Sequence, residues 1–177
     1  MKIIITGIDS INKIELGKKI ISKDDELSIT PIFTSDENYK GILSDKYVYY
    51  LNPNIINLSY KNNAFLYIST EDFITTGITI DDFYNNDIVC ISTKNFNKII
   101  DSVFTNNECL IVWVDSKYHK NINLKEELVE TRYLEENLSK LNYLYFVDED
   151  FNKISEIIID YITSDIDRRK EILEEYC

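Results

Sequence analysis

A glycine and a lysine in the opening segment are the first residues whose types and spacing could do chemistry. Gly7-Ile8-Asp9-Ser10-Ile11-Asn12-Lys13-Ile14 follows an apolar, β-branched run. It half-matches the phosphate-cradling pattern GxxxxGK[S/T], in which glycines let amides wrap a phosphate, the lysine reaches its oxygens and the hydroxyl ligates magnesium. Gly7 and Lys13 match in type and spacing, whereas Asn12 replaces the second glycine and Ile14 the hydroxyl residue. Asparagine tolerates a left-handed backbone better than most residues, so the first change is mild. Isoleucine cannot hold a metal, and Asp9 and Glu15 add negative charge where phosphate oxygens would come. A helix N-terminus still attracts anions. Gly7, Ser10, Asn12 and Lys13 are therefore the candidate nucleotide-binding residues, and Lys13 the candidate catalytic cation.

Little else in the chain has reactive spacing. The three cysteines, Cys90, Cys109 and Cys177, form no CxxC pair, and His119 is the sole histidine. No metal site is expected from such a set. Cys90 and Cys109 sit in apolar runs and read as buried thiols, consistent with a reduced, cytoplasmic compartment. His119 lies in a polar loop with Lys117 and Lys120 and reads as an exposed loop residue before a general base. Ser10 has no base near it in sequence to make it a nucleophile. The tyrosines Tyr47, Tyr49, Tyr50, Tyr60 and Tyr67 read as a half-buried β-face or a protein-contact face, or as a platform for stacking a base.

These residues must be positioned by a core of adequate size. The chain has 177 residues, 44% of them apolar, which suits one compact domain with an insert. No apolar run is long enough to span a membrane, and the start does not read as a signal peptide. The formal charge of −12 argues against gripping nucleic acid or an anionic membrane by bulk electrostatics. Ile occurs 30 times and Asn 18 times, against one Ala, three Arg and no Gln. That is the bias of AT-rich codons and points to a phage, a virus or an AT-rich bacterium.

Residues 2–6, 88–92, 110–114 and 143–147 are short continuous apolar runs, the pattern of parallel strands buried on both faces. Residues 28–34, with Pro31 inside, predict a fifth and irregular edge strand. Helical spacing covers 11–21, 95–104, 124–141 and 151–162, the last capped by Asp148 or Asp150. A final helix over 164–177 has Ser164 as its cap, with Asp167 three residues on. Residues 36–86 are rich in Tyr, Asn, Thr and Asp with no helical stripe, and read as an insert of short strands and loops. The expectation is an α/β, three-layer architecture with a five-stranded parallel sheet, a small β-rich insert and a C-terminal helix. Its parts are a core of 1–35 and 87–163, the insert 36–86 and the extension 164–177.

This order of elements, with the half-matched loop, resembles the P-loop nucleoside monophosphate kinases, and guanylate kinase most. The resemblance runs over most of residues 1–162. Thr76-Gly77-Ile78-Thr79 is loosely similar to that family's Tyr-Gly-Thr turn, and Asp115-Ser116-Lys117 follows a strand as the family's lid does. Asn142 to Asp148 and Asp150 to Ile154 resemble its last strand and the helix after it. By this resemblance the fold is the P-loop kinase fold, the insert would hold a nucleotide base, and the lid would clamp phosphates. Family arginines do that clamping; here Lys117, His119 and Lys120 stand in the lid, and only Arg132, on the long helix, sits near a family arginine. Lysine is a point charge and does not reproduce bidentate phosphate binding. The family's acidic residue after the second core strand falls on Ser92 or Thr93, which carry no charge.

The residues thus predict a catalytically degenerate relative of these kinases that needs no cofactor. It would act as a protein-interaction or structural subunit, or as a homo-oligomer, in a viral or phage assembly, with a nucleotide as its candidate small ligand. The alternative is an active, guanylate kinase-like enzyme using ATP and Mg2+, with Lys13, Lys117, Lys120 and Arg132 around the phosphates.

Overall fold

The computed structural model describes residues 1–7, 12–41, 46–96, 98–99, 109–115, 142–147 and 149–176. The chain divides into two compact units. One comprises Met1–Ser28 with Ile88–Cys177, the other Ile29–Asp87.

The first unit is built on a parallel sheet of β1 (Lys2–Gly7), β6 (Ile88–Cys90), β7 (Cys109–Asp115) and β8 (Asn142–Val147), in the order β6-β1-β7-β8. Every residue of β1 is buried, as are Cys109 to Val114 of β7. Central strands covered on both faces must be apolar along their whole length, which is why KIIITG and CLIVWV read as unbroken runs. At the edge, β8 buries only Leu144 and Phe146 and leaves Tyr145 half exposed.

Among the described residues the sheet has four strands, not the five expected. Residues 28–34 split between the units. The Ser28 carbonyl accepts one hydrogen bond from the Ile88 amide at 2.9 Å, and the chain then leaves this sheet. Beyond Pro31, β2 (Ile32–Thr34) pairs in the second unit's sheet instead. Pro31 has no N–H to donate to a parallel ladder, so pairing along β6 stops before it.

Helix α1 (Lys13–Ile21) packs against α5 (Phe151–Thr163). Leu16 and Ile20 of α1, and Ile154, Ile158 and Tyr161 of α5, are buried. Asp150 caps α5, accepting from the Asn152 amide at 2.6 Å. The last helix, α6 (Ile166–Tyr176), is capped by Asp165, whose Oδ1 accepts from the Arg168 amide at 3.0 Å. Ser164, expected in that role, instead ends α5 and donates its hydroxyl to Asp160 Oδ1 at 2.9 Å. Arg169 closes the corner: its guanidinium donates to the Tyr161 and Ile162 carbonyls, both at 2.9 Å, satisfying the orphan acceptors of a helix end. Ile172 is buried and the Tyr176 ring lies 5.4 Å from that of Phe146, so α6 is packed on β8.

Of the remaining expected helices, the one over 95–104 overlaps α4 (Thr93–Phe96) at its start, and its residues 97 and 100–104 lie outside the described ones. The basic loop 116–123 and the helix over 124–141 lie outside the described residues.

The second unit holds a mixed sheet in the order β3-β2-β5-β4, with β3 (Val48–Tyr50), β4 (Phe65–Glu71) and β5 (Ile74–Thr79). Asp72 and Phe73 join β4 to β5 with φ of 47° and 68°, a two-residue turn of the twist that hairpins favour. Contrary to the sequence reading, two helices occur here, α2 (Pro53–Lys61) and α3 (Ile80–Asn85). Asn52 and Pro53 start the first and Thr79 caps the second. Periodicity missed α2 because it buries one side chain, Ile56, so no stripe forms. Thr76-Gly77-Ile78-Thr79 runs inside β5 and not in a turn; a Cβ on Gly77 would lie 2.7 Å from the Tyr67 carbonyl oxygen. Of the tyrosines, Tyr47 and Tyr67 belong to the core, while Tyr49 and Tyr60 face solvent.

Gly7 is the tightest point of the first unit. Its φ is +131°, and a Cβ there would stand 1.9 Å from the Val114 carbonyl oxygen. Both the backbone region and the space exclude a side chain. Gly7→Ala is expected to cost more than about 3 kcal/mol of stability. Urea denaturation followed by circular dichroism measures it, and a loss below about 1 kcal/mol would show that the two strands part easily.

Candidate functional site at the carboxyl end of the parallel sheet

In open parallel sheets, ligands gather where the strands end. The ends that the first unit brings together are Gly7 of β1, Cys90 to Thr93 after β6, and Asp115 of β7. Thr93 ties two of them, its hydroxyl donating to the Gly7 carbonyl at 2.9 Å.

Of the residues singled out from sequence, Gly7, Asn12 and Lys13 fall in this place. Gly7 ends the strand, Asn12 is the cap of α1, and Lys13 is its first residue. Ser10, Lys117, His119, Lys120 and Arg132 lie outside the described residues.

The start of α1 makes its own hydrogen bonds. Asn12 Oδ1 accepts from the Glu15 amide at 3.3 Å, and the Asn12 carbonyl approaches the same amide at 3.2 Å. A capping side chain of this kind satisfies a donor that an anion at a helix N-terminus would otherwise take. Glu15 adds a carboxylate to the first turn, where it complements the helix dipole and repels a phosphate. Its partner Lys18, 2.8 Å away, is half exposed, so this pair is worth little to stability. Ile14 offers hydrocarbon at the position from which a hydroxyl would bind magnesium. Residues 8–11, the middle of this loop, lie outside the described residues.

Lys13 is buried, and its carbonyl accepts from the Cys90 thiol at 3.3 Å. Burial pushes the Cys90 thiol up to about 12, against a smaller opposing pull from the Lys13 charge. Cys109 is pushed up to about 12 by the same cause, with Lys2 and the N-terminus pulling the other way. Both cysteines are free and buried, as their apolar surroundings in the sequence implied.

The sequence did not single out Thr6, Asn95 and Trp113 as site residues. All are buried, and Thr6 Oγ1, Asn95 Oδ1 and Trp113 Nε1 have no hydrogen-bond partner among the described residues. Thr6 and Trp113 are register partners across β1 and β7, and Tyr145 of β8 is the next residue in that row. The Tyr145 hydroxyl donates to Asp115 Oδ2 at 2.9 Å, at the end of β7. No sequence signal marks this row, because only the pairing of distant strands assembles it. Among the described residues, no three His, Cys, Asp or Glu side chains are grouped to hold a metal ion. Among them also, no helix is long and apolar enough to cross a membrane.

Comparison with protein-family models gives no match, and no curated protein matches the sequence. The fold does have solved counterparts. A guanylate kinase from Anaplasma phagocytophilum superposes with a TM-score of 0.61 at 11% identity, covering 99% of this chain and 94% of that one. The architecture is thus the guanylate kinase-like P-loop fold, as the element order implied, with a four-stranded parallel sheet in the first unit.

The raised thiol values have a direct consequence. At pH 8 the folded protein is expected to leave Cys90 and Cys109 unmodified by a thiol reagent that labels both in urea, as peptide mapping would show. Because their folded values lie above the ordinary thiol value of 9.0, folding holds protons that the unfolded chain releases. Stability from these two groups is intact below about pH 9 and falls as pH rises from there toward 12. Rapid labelling of either cysteine under native conditions would contradict their burial.

Proposed function

We propose that the chain is a catalytically degenerate relative of nucleoside monophosphate kinases that works as a protein-interaction or structural subunit. The observation that carries this reading is the self-satisfied start of α1. The Glu15 amide is bonded to Asn12, and the Glu15 carboxylate adds negative charge to the first turn of the helix. Phosphoryl transfer depends almost wholly on positioning and charge neutralisation, so losing the loop glycine and the hydroxyl ligand removes much of what it needs.

The surface of the second unit supports the interaction half of the proposal. Ile55 and Leu58 of α2, Phe73 at the hairpin tip and Tyr84 of α3 all stand more than half exposed. Exposed aromatic and aliphatic side chains are the common anchors of protein interfaces. Phe73 is 99% exposed in a left-handed conformation that a bulky residue adopts at a cost.

One feature favours the alternative, an ATP-dependent monophosphate kinase: Lys13 keeps the place at the start of α1 that such a lysine takes. A coupled assay for ADP formation from MgATP, with each nucleoside monophosphate as acceptor, separates the two. The degenerate reading expects no magnesium-dependent rate above background in the parent chain and none in Lys13→Ala. It also expects that Asn12→Gly with Ile14→Ser, which restores the loop chemistry, raises the melting shift produced by MgATP. Turnover in the parent chain that Lys13→Ala abolishes would make the protein a kinase.

A further inference from the structure

The longest stretch of chain without Asp or Glu is 46–70, in a protein with 31 acidic residues and a formal charge of −12. At the average density of the chain it would hold about four acids. Its only charged residues are Lys46 and Lys61. Helix α2 lies inside this stretch and buries one side chain, Ile56. Ile55 and Leu58 are 52% and 62% exposed, three residues apart and therefore side by side on the helix. With Asn62 they follow the 3-4 spacing of a helix-to-helix seam. Asn54, Asn57, Lys61 and Asn62, all exposed, border the pair with polar groups.

An apolar centre with a polar rim and little charge is the make-up of a protein interface. Charge chooses the occupant. A nucleic acid or an anionic membrane is held by several cations, and two lysines in a chain of net charge −12 do not supply them. A strongly basic partner would be steered to the segments where acids are dense. A second copy has the opposite requirement. Its own charge of −12 repels this chain wherever acids are dense, and least along the stretch that lacks them. The α2 face is also its own complement. About a two-fold axis at Leu58, antiparallel helices set that leucine against its symmetry mate and carry the two Lys61 charges to opposite ends.

We propose that the outer face of α2, centred on Leu58, joins two copies of this chain in an isologous dimer. The proposal names one face and one partner, and it rests on the interaction half of the reading given above, not on the loss of catalysis. A nine-residue helix is about 14 Å long, so the contact lies at the small end of protein interfaces. A dissociation constant on the order of 10–100 µM is expected of it.

Sedimentation velocity of the full chain, from about 1 µM to about 300 µM, measures the association directly. The expected result is a monomer–dimer equilibrium that tightens as sodium chloride rises from about 0.05 M to about 0.5 M, because salt screens the repulsion between like-charged copies. Leu58→Glu sets two acids against each other at the two-fold and should raise the dissociation constant at least about tenfold. Its circular dichroism should match the parent's, since the side chain is exposed. Leu58→Lys should weaken the dimer likewise, and an equimolar mixture of the two variants should dimerise again, a rescue that requires the two positions to meet. A monomer throughout this range, or a dimer indifferent to Leu58→Glu, would overturn the proposal and leave the interaction reading to the exposed Phe73 and Tyr84. Association that weakens with salt would overturn it too, because ion pairs would then hold the copies together. Monomers that bind phosphatidylserine vesicles or a uridine oligonucleotide, and lose that binding in Leu58→Glu, would assign the face to an anionic partner instead. Kinase turnover in the parent chain would remove the degenerate reading and leave the dimer standing.

Discussion

The contact on which the first unit depends is the one between Gly7 and the Val114 carbonyl. The last residue of β1 lies against β7 with no room for a Cβ, in a backbone region only glycine occupies cheaply. That approach lets β1 and β7 stay in register over their full length, from Lys2 against Cys109 to Gly7 against Val114. It also fixes the point at which the chain leaves the sheet. Everything at the site is measured from there: the Thr93 hydroxyl on the Gly7 carbonyl, the start of α1, and the row of Thr6, Trp113 and Tyr145.

That Gly7 matches the phosphate pattern while Asn12 and Ile14 depart from it has a simple physical basis. Gly7 serves the sheet, so it is needed whatever binds nearby. The second glycine and the hydroxyl of the phosphate pattern serve only an anion and its metal, and here Asn12 and Ile14 take their places. Asn12 turns that change into local stability, because its side chain caps α1.

Much of the first unit was legible from residues alone. β1, β7 and β6 declare themselves as unbroken apolar runs, and α5 by the stripe of Ile154, Ile158 and Tyr161. The places of Gly7 at the end of β1 and of Asn12 and Lys13 at the start of α1 were legible because their spacing is local. The misreadings share a cause, which is competition between partners that local pattern does not rank. Residues 28–34 look like a strand and are one for three residues, but Ile32 to Thr34 find Val48 to Tyr50 and the strand around Gly77 rather than β6. Ser164 and Asp165 are both good caps; Ser164 is already engaged with Asp160, so Asp165 takes α6. Helix α2 shows no stripe because one buried isoleucine is all that holds its inner face.

By itself the sequence determined which segments are buried on both sides, where the first helix begins, and that the phosphate pattern lacks its metal ligand. These are properties of composition and short spacing, and burial or capping acts on them within a few residues. Only the tertiary structure decided which strand lies beside which, and with that the joining of Thr6 to Trp113 and of Thr93 to Gly7. Strand pairing is a choice among backbones that all offer the same donors and acceptors. It is settled by how side chains distant in the chain pack once they meet.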